Sequence, residues 1–96
     1  MIEVRQTERF AVWFRSLRDR KTKARIQVRI DRLSLGNPGD VKPVGGGVSE
    51  LRVDYGPGHR IYFTRRGAAL IVLLAGGDKR TQAPDIERAL TLARSL

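Results

Sequence analysis

The sequence predicts an α+β domain in the order β-α-α-β-β-β-α, a helical hairpin packed on a small, twisted, mostly antiparallel sheet. Three observations predict it. Apolar residues recur at helical spacing through the N-terminal third, the period changes to two from Ser49, and Leu70 to Leu74 is apolar at every position. With 96 residues the chain makes one domain, spanning 1–96, whose modest core leaves the chemistry to the surface.

Ile2 and Val4 alternate with Glu3 and Arg5, the pattern of a short first strand. Thr7 is placed to cap a helix in which Phe10, Trp13, Phe14 and Leu17 form one buried face, so these aromatics belong to the core. Asp19 caps a second helix, with Ala24, Ile26, Ile30 and Leu33 inward and Lys21, Lys23, Arg25, Arg29 and Arg32 mostly outward, and Gly36 and Pro38 stop it. The Gly/Pro-rich piece from Gly36 to Gly47 reads as a connection inside the domain. Its Gly45-Gly46-Gly47 run lacks the Lys-Ser/Thr pair and helix start of a phosphate loop.

Beyond it, Leu51, Val53 and Tyr55 share one strand face, and Glu50, Arg52 and Asp54 the other. Gly56-Pro57-Gly58 turns the chain into a strand from His59 to Arg65, with Ile61 and Phe63 on one face and Arg60, Tyr62 and Thr64 on the opposite one. Arg66-Gly67 closes a second hairpin. Leu70 to Leu74 is then a central strand covered on both sides. After a Gly76-Gly77 loop, Pro84 opens a last helix that buries Ile86, Ala89, Leu90 and Ala93.

Nineteen Lys plus Arg against ten Asp plus Glu give a net charge of +9, and fifteen of the cations are Arg, whose planar fork matches phosphate oxygens. A polyanion is the first partner this implies, and an acidic protein fits equally well. Cysteine is absent, which removes disulfides and thiolate metal sites and suits a reducing cytoplasm. The apolar run from Ala68 to Ala75 is far too short to span a bilayer, so no membrane association is expected. A single His and no carboxylate cluster at ligand spacing argue against a metal site or a nucleophilic triad, and no cofactor is implied.

Arg52 and Arg60 fall on adjacent antiparallel strands, on the face opposite Leu51, Val53, Ile61 and Phe63, so both can point into one concavity. The alternative is that Arg52 pairs with Glu50 or Asp54. Lys79 and Arg80 follow the Gly-Gly pair, where backbone can approach a ligand closely. His59 belongs to the only side-chain type that exchanges protons near neutrality, yet it should lie on the strand face opposite Arg60.

At these residues the chain resembles the RelE/ParE superfamily of type II toxin-antitoxin toxins, and within it the HigB-like addiction-module killer proteins. The resemblance runs from Thr7-Glu8-Arg9-Phe10, Trp13 and Leu17 through Val41-Lys42-Pro43-Val44 and Gly47-Val48-Ser49-Glu50-Leu51-Arg52. It is densest in Tyr55-Gly-Pro-Gly-His-Arg60-Ile-Tyr-Phe63 and ends with Leu73 to Lys79, Gln82, Asp85 and Ile86. It implies a RelE-like fold and a cytoplasmic, metal-independent mRNA endoribonuclease acting at the ribosome. The RNA's own 2′-hydroxyl would be the nucleophile, and a co-expressed, DNA-binding antitoxin would silence the toxin and alone link it to operator DNA. Arg60 would stabilise the developing phosphorane charge, with Arg52 and Lys79 or Arg80 as further cations and His59 as a candidate proton carrier. Lys42, Tyr62 and Gln82 would contact RNA, Tyr62 as the one stacking platform.

Departures from the pattern leave the general base open among His59, Glu50 and Asp85. RNA-cleaving members often carry a lysine at the place of Glu50 and a tyrosine near Asp85 or Ile86, and an aromatic residue is usual where His59 stands. Two other readings stay in view: a ParE-like gyrase poison without nuclease activity, and a basic nucleic-acid-binding module. An acidic antitoxin segment lying across the basic concavity would block substrate and neutralise arginines together.

Overall fold

A computed structural model describes Ile2–Leu96. Its elements are β1 (Glu3–Gln6), α1 (Glu8–Ser16), α2 (Arg20–Ser34), β2 (Val41–Gly45), β3 (Val48–Val53), β4 (His59–Arg66), β5 (Leu70–Asp78), a single 3-10 turn (Lys79–Thr81) and α3 (Gln82–Arg94). The strands form one sheet in the order β1-β5-β4-β3-β2, with β1 parallel to β5 and every other pair antiparallel. The expected α+β class is therefore the one observed.

One strand more is present than the sequence pattern predicts. The stretch from Gly36 to Gly47, read as connection, contains β2, which pairs with β3 through Val41↔Leu51 and Lys42↔Glu50. Pro43 hid it, because proline has no N–H for a ladder. At the outer edge of a sheet that loss is harmless. The register shifts between Pro43 and Gly45, and Gly46 and Gly47 close the β2–β3 hairpin at φ +57° and +77°, a conformation that disfavours other residues.

Local signals place the helices as expected. The Thr7 hydroxyl accepts the Phe10 N–H at 3.1 Å and donates to the Leu74 carbonyl at 2.6 Å, which caps α1 and pins it to β5. Asp19 accepts from the Lys21 N–H and the Thr22 hydroxyl at the start of α2. Thr22 rather than Ala24 is buried on this helix, and Ala24 faces outward, so the inward row begins two residues earlier than expected.

The sheet is covered on both faces, as the apolar run in β5 requires. Against α1 and α2 pack Phe10, Ile26, Ile30, Leu33, Leu51, Val53, Ile61, Phe63, Ile71 and Leu73. Against α3 pack Val48, Tyr62, Val72, Leu74, Ala75, Ala89 and Ala93. A bulge makes the second set possible: Tyr62 pairs with Ala75 and Phe63 with Leu73, so Leu74 is an extra residue in β5 and joins Ala75 under α3.

Gly76 and Gly77 lie inside β5, not in a loop after it. A methyl group at Gly76 would run into the Trp13 ring, and one at Gly77 into the Asp85 carboxylate. Close approach from α1 on one face and α3 on the other, not flexibility, is what glycine serves here.

Candidate functional site

Strand register brings the predicted cations to one end of the sheet, on the face that α3 covers. Arg52 pairs with Arg60 and Arg60 with Gly77; in the adjacent row Lys42 pairs with Glu50, Glu50 with Tyr62 and Tyr62 with Ala75. Directly opposed residues share a face, so Lys42, Glu50, Arg52, Arg60 and Tyr62 all project toward α3.

Arg60 stands at the centre, its side chain only 12% exposed. Its Nε lies 3.7 Å from Glu50 Oε1, within ion-pair reach but too far for a hydrogen bond, and no acceptor satisfies that N–H. Its Nη1 donates to the His59 carbonyl at 3.3 Å. A methyl placed on Gly58 would sit 3.6 Å from Arg60 Nη1 and 3.8 Å from Lys79 Cβ, so the guanidinium and the lysine stem converge at the β3–β4 turn.

Glu50 is the buried anion of this group, with a side chain 3% exposed. Its Oε2 accepts from the Tyr62 hydroxyl at 3.2 Å and from Gln82 Nε2 at 2.9 Å. The Tyr62 phenol is pushed up from its ordinary range, first by burial and then by the Glu50 charge. Tyr62 itself is 0% exposed. It offers no ring face to a base, and the expectation of a stacking platform is corrected: on this face α3 covers the sheet. Gln82 likewise turns in to Glu50 rather than out to a ligand, while Lys42 is exposed on the edge strand.

Arg52 meets neither Glu50 nor Asp54. Its Nε and Nη2 bind Asp40 Oδ1 at 3.1 and 2.8 Å, and its main-chain carbonyl accepts from Arg29 Nη1 at 2.7 Å. Arg80 points away from the cluster, 82% exposed, and pairs with Asp78 at 2.9 Å. That contact, above all the Arg80 side-chain hydrogen bond, holds the Asp78 carboxyl below the usual carboxylate range.

His59 is buried on the other face of the sheet, its ring 6.3 Å from Trp13 and its register partner Asp78. Strand alternation separates it from the Arg60 guanidinium, as the sequence pattern predicts. Asp85 does share the Arg60 face, above Gly77, but accepts from the Thr81 hydroxyl and, at 3.1 Å, from Arg88. The site thus gathers Arg60, Lys79 and Glu50, with Tyr62 and Gln82 holding Glu50 from behind. Among the described residues no group of three or more His, Asp or Glu side chains is placed to hold a metal ion. No helix among them is long and apolar enough to cross a membrane.

Two functional partnerships were missed from the pattern. The Arg52–Asp40 pair was hidden because Asp40 lies in the stretch read as connection. The Glu50–Tyr62–Gln82 network had a signal, since alternation already placed Glu50, Arg60 and Tyr62 on one face.

Residues 12–94 match the family described as phage derived protein Gp49-like (DUF891). The chain belongs to that Gp49-like family. A relative from Haemophilus influenzae, an uncharacterized protein, is 44% identical over 95 residues, covering 99% of this chain and 96% of its own length. The residues matched to the family include every member of the Arg60 cluster and all of the sheet except β1.

Proposed function

We propose that this Gp49-like protein is the toxin of a type II toxin-antitoxin module, a RelE/ParE-type, HigB-like endoribonuclease. It would cut mRNA at the ribosome, in the cytoplasm, until an antitoxin neutralises it. The observation that carries the reading is the Arg60 guanidinium, held on a strand with its side chain 12% exposed, whose Nη1 converges with the Lys79 stem at the β3–β4 turn. A preorganised donor of this kind suits a phosphate whose charge grows in the transition state.

Glu50 is the proton acceptor that this arrangement favours. Of the three candidates, it alone combines the Arg60 face with an oxygen, Oε1, that takes no hydrogen bond. The 2′-hydroxyl gives its proton to Glu50 as its oxygen bonds to phosphorus, the P–O5′ bond breaks, and the Lys79 ammonium protonates the leaving oxygen. The products are a 2′,3′-cyclic phosphate and a 5′-hydroxyl, and no metal is consumed or needed. Lys42, exposed beside Glu50 in register, extends the cationic track for the RNA backbone. Arg52, held by Asp40, and Arg80, held by Asp78, contribute field rather than contact.

A gyrase poison without nuclease activity is the second reading. The burial of Glu50 behind Tyr62 and Gln82 favours it, because a base at 3% exposure is poorly placed to meet substrate. The basic binding module loses its main support with the burial of Tyr62. Purified protein incubated with translating ribosomes should yield mRNA fragments ending in 2′,3′-cyclic phosphate. Intact mRNA together with blocked DNA supercoiling by gyrase would reject the nuclease in favour of the poison.

A further inference from the structure

The outer side of α2 carries a second surface, on the side of the sheet away from the Arg60 guanidinium. Ala24 and Val28, one helical turn apart, are both exposed, Val28 by 46%, and Leu35 at the C-terminal cap continues the row at 68%. Lys21, Arg25, Arg29 and Arg32 flank Ala24 and Val28, and Val53, Asp54 and Tyr55 form the facing wall of a groove of about 620 Å³. The Arg25 guanidinium lies 4.2 Å from the Tyr55 ring centroid, which ties the helix to that wall.

Charge in the groove is one-sided. Among the described residues Lys21, Arg25 and Arg32 form no ion pair, and Asp54 is the one carboxylate on the lining. Arg29 directs its donors to the main-chain carbonyls of Arg52 and Pro38. Lys21 and Arg32 are therefore free for a partner, and Arg25 keeps its charge without a carboxylate while lying on the Tyr55 ring, beside an exposed apolar row.

We propose that this groove docks an acidic amphipathic helix of another protein chain. Such a helix sets apolar residues at i, i+4 and i+11 on Ala24, Val28 and Leu35, and its carboxylates toward Lys21, Arg25 and Arg32. A nucleic-acid backbone would satisfy the cations but press phosphates against Val28, and Tyr55, partly buried against the core with Arg25 over its ring, is a poor platform for a stacked base. The inference goes beyond the toxin reading and does not need it. In that reading the partner is the neutralising chain, held on α2 rather than across Arg60.

The test uses the full chain, isotope-labelled for NMR, and two probes. One is a synthetic helix-forming peptide of about four turns, with Leu on one stripe and Glu flanking it; the other is a short single-stranded RNA. The peptide should shift the resonances of Ala24, Val28 and Tyr55. Its affinity should fall roughly tenfold or more in Val28→Asp and in Arg32→Glu, two exposed changes whose fold circular dichroism verifies. A peptide that does not bind the wild type at low salt, or binds both variants as tightly, overturns the proposal, as does RNA shifting the α2 resonances in its place. RNA that fails to perturb Gly58, Arg60 and Lys79 counts against the toxin reading alone.

Discussion

Replacing Gly77 by Ala tests the packing that positions the site, because Gly77 is the cross-strand partner of Arg60 and lies directly under Asp85. Its added methyl occupies the place of the Asp85 carboxylate, so that side chain must move. Overpacking of this kind costs about 1–3 kcal/mol. Moving the carboxylate also breaks its hydrogen bond from Thr81, which anchors the first turn of α3, for about 1.5–3 kcal/mol more. Even the lower end of that sum, about 2.5–3 kcal/mol, is a large share of the roughly 5–15 kcal/mol available to a small domain. Urea unfolding followed by Trp13 fluorescence reads it as a midpoint lowered by about 2–3 M, for a slope near 1 kcal/mol/M. The cause is separable. Asp85→Ala clears space for the methyl, so Gly77→Ala should cost at least about 1 kcal/mol less in that background. A single Gly77→Ala protein within about 0.5 kcal/mol of wild type, or strict additivity in the cycle, would refute the close approach of α3 to β5.

Arg60→Ala removes the proposed phosphate ligand, but it also strips the buried Glu50 of its cation and should cost about 3 kcal/mol of stability. Arg60→Ala with Glu50→Gln removes both the phosphate ligand and the proposed base without leaving a buried charge, and is expected to regain much of that stability in thermal unfolding while yielding no cyclic-phosphate ends; retained cleavage would end the assignment of both residues. Tyr62→Phe deprives Glu50 Oε2 of one donor and should lower stability by about 1–2 kcal/mol. Because the phenol is raised in the folded protein, its contribution is whole below about pH 10 and lost as pH climbs beyond it. Alkaline unfolding curves should accordingly be less steep in Tyr62→Phe than in wild type, and identical curves would show that the phenol ionises freely. Affinity for RNA, measured by fluorescence anisotropy, should fall steeply between low and physiological salt, and Lys79→Ala should flatten the slope by about one phosphate contact; an unchanged slope would place Lys79 outside the interface.

Much of this protein is fixed by local pattern. Two-residue alternation alone put Arg52, Arg60, Glu50 and Tyr62 on one face and His59 on the other, because a strand has no freedom to do otherwise. Helical spacing likewise committed Phe10 and its neighbours to the core, and Thr7 and Asp19 to the helix starts. What the pattern could not say is which face is covered, and by what. Tyr62 is buried because α3 returns across that face, a consequence of the whole chain path rather than of the strand around it. The same path sets Trp13 against Gly76 and Asp85 against Gly77, turning an apparent loop into packed strand. The carboxylate partners of Arg52 and Arg60 were equally non-local. Arg52 took Asp40 because the pairing of edge strand β2 with β3 brings the residue just before β2 alongside Arg52, and Arg60 took Glu50 because the β3–β4 register brings them together. An ion pair depends on distance in space, and for Arg52 and Arg60 only the folded sheet sets that distance.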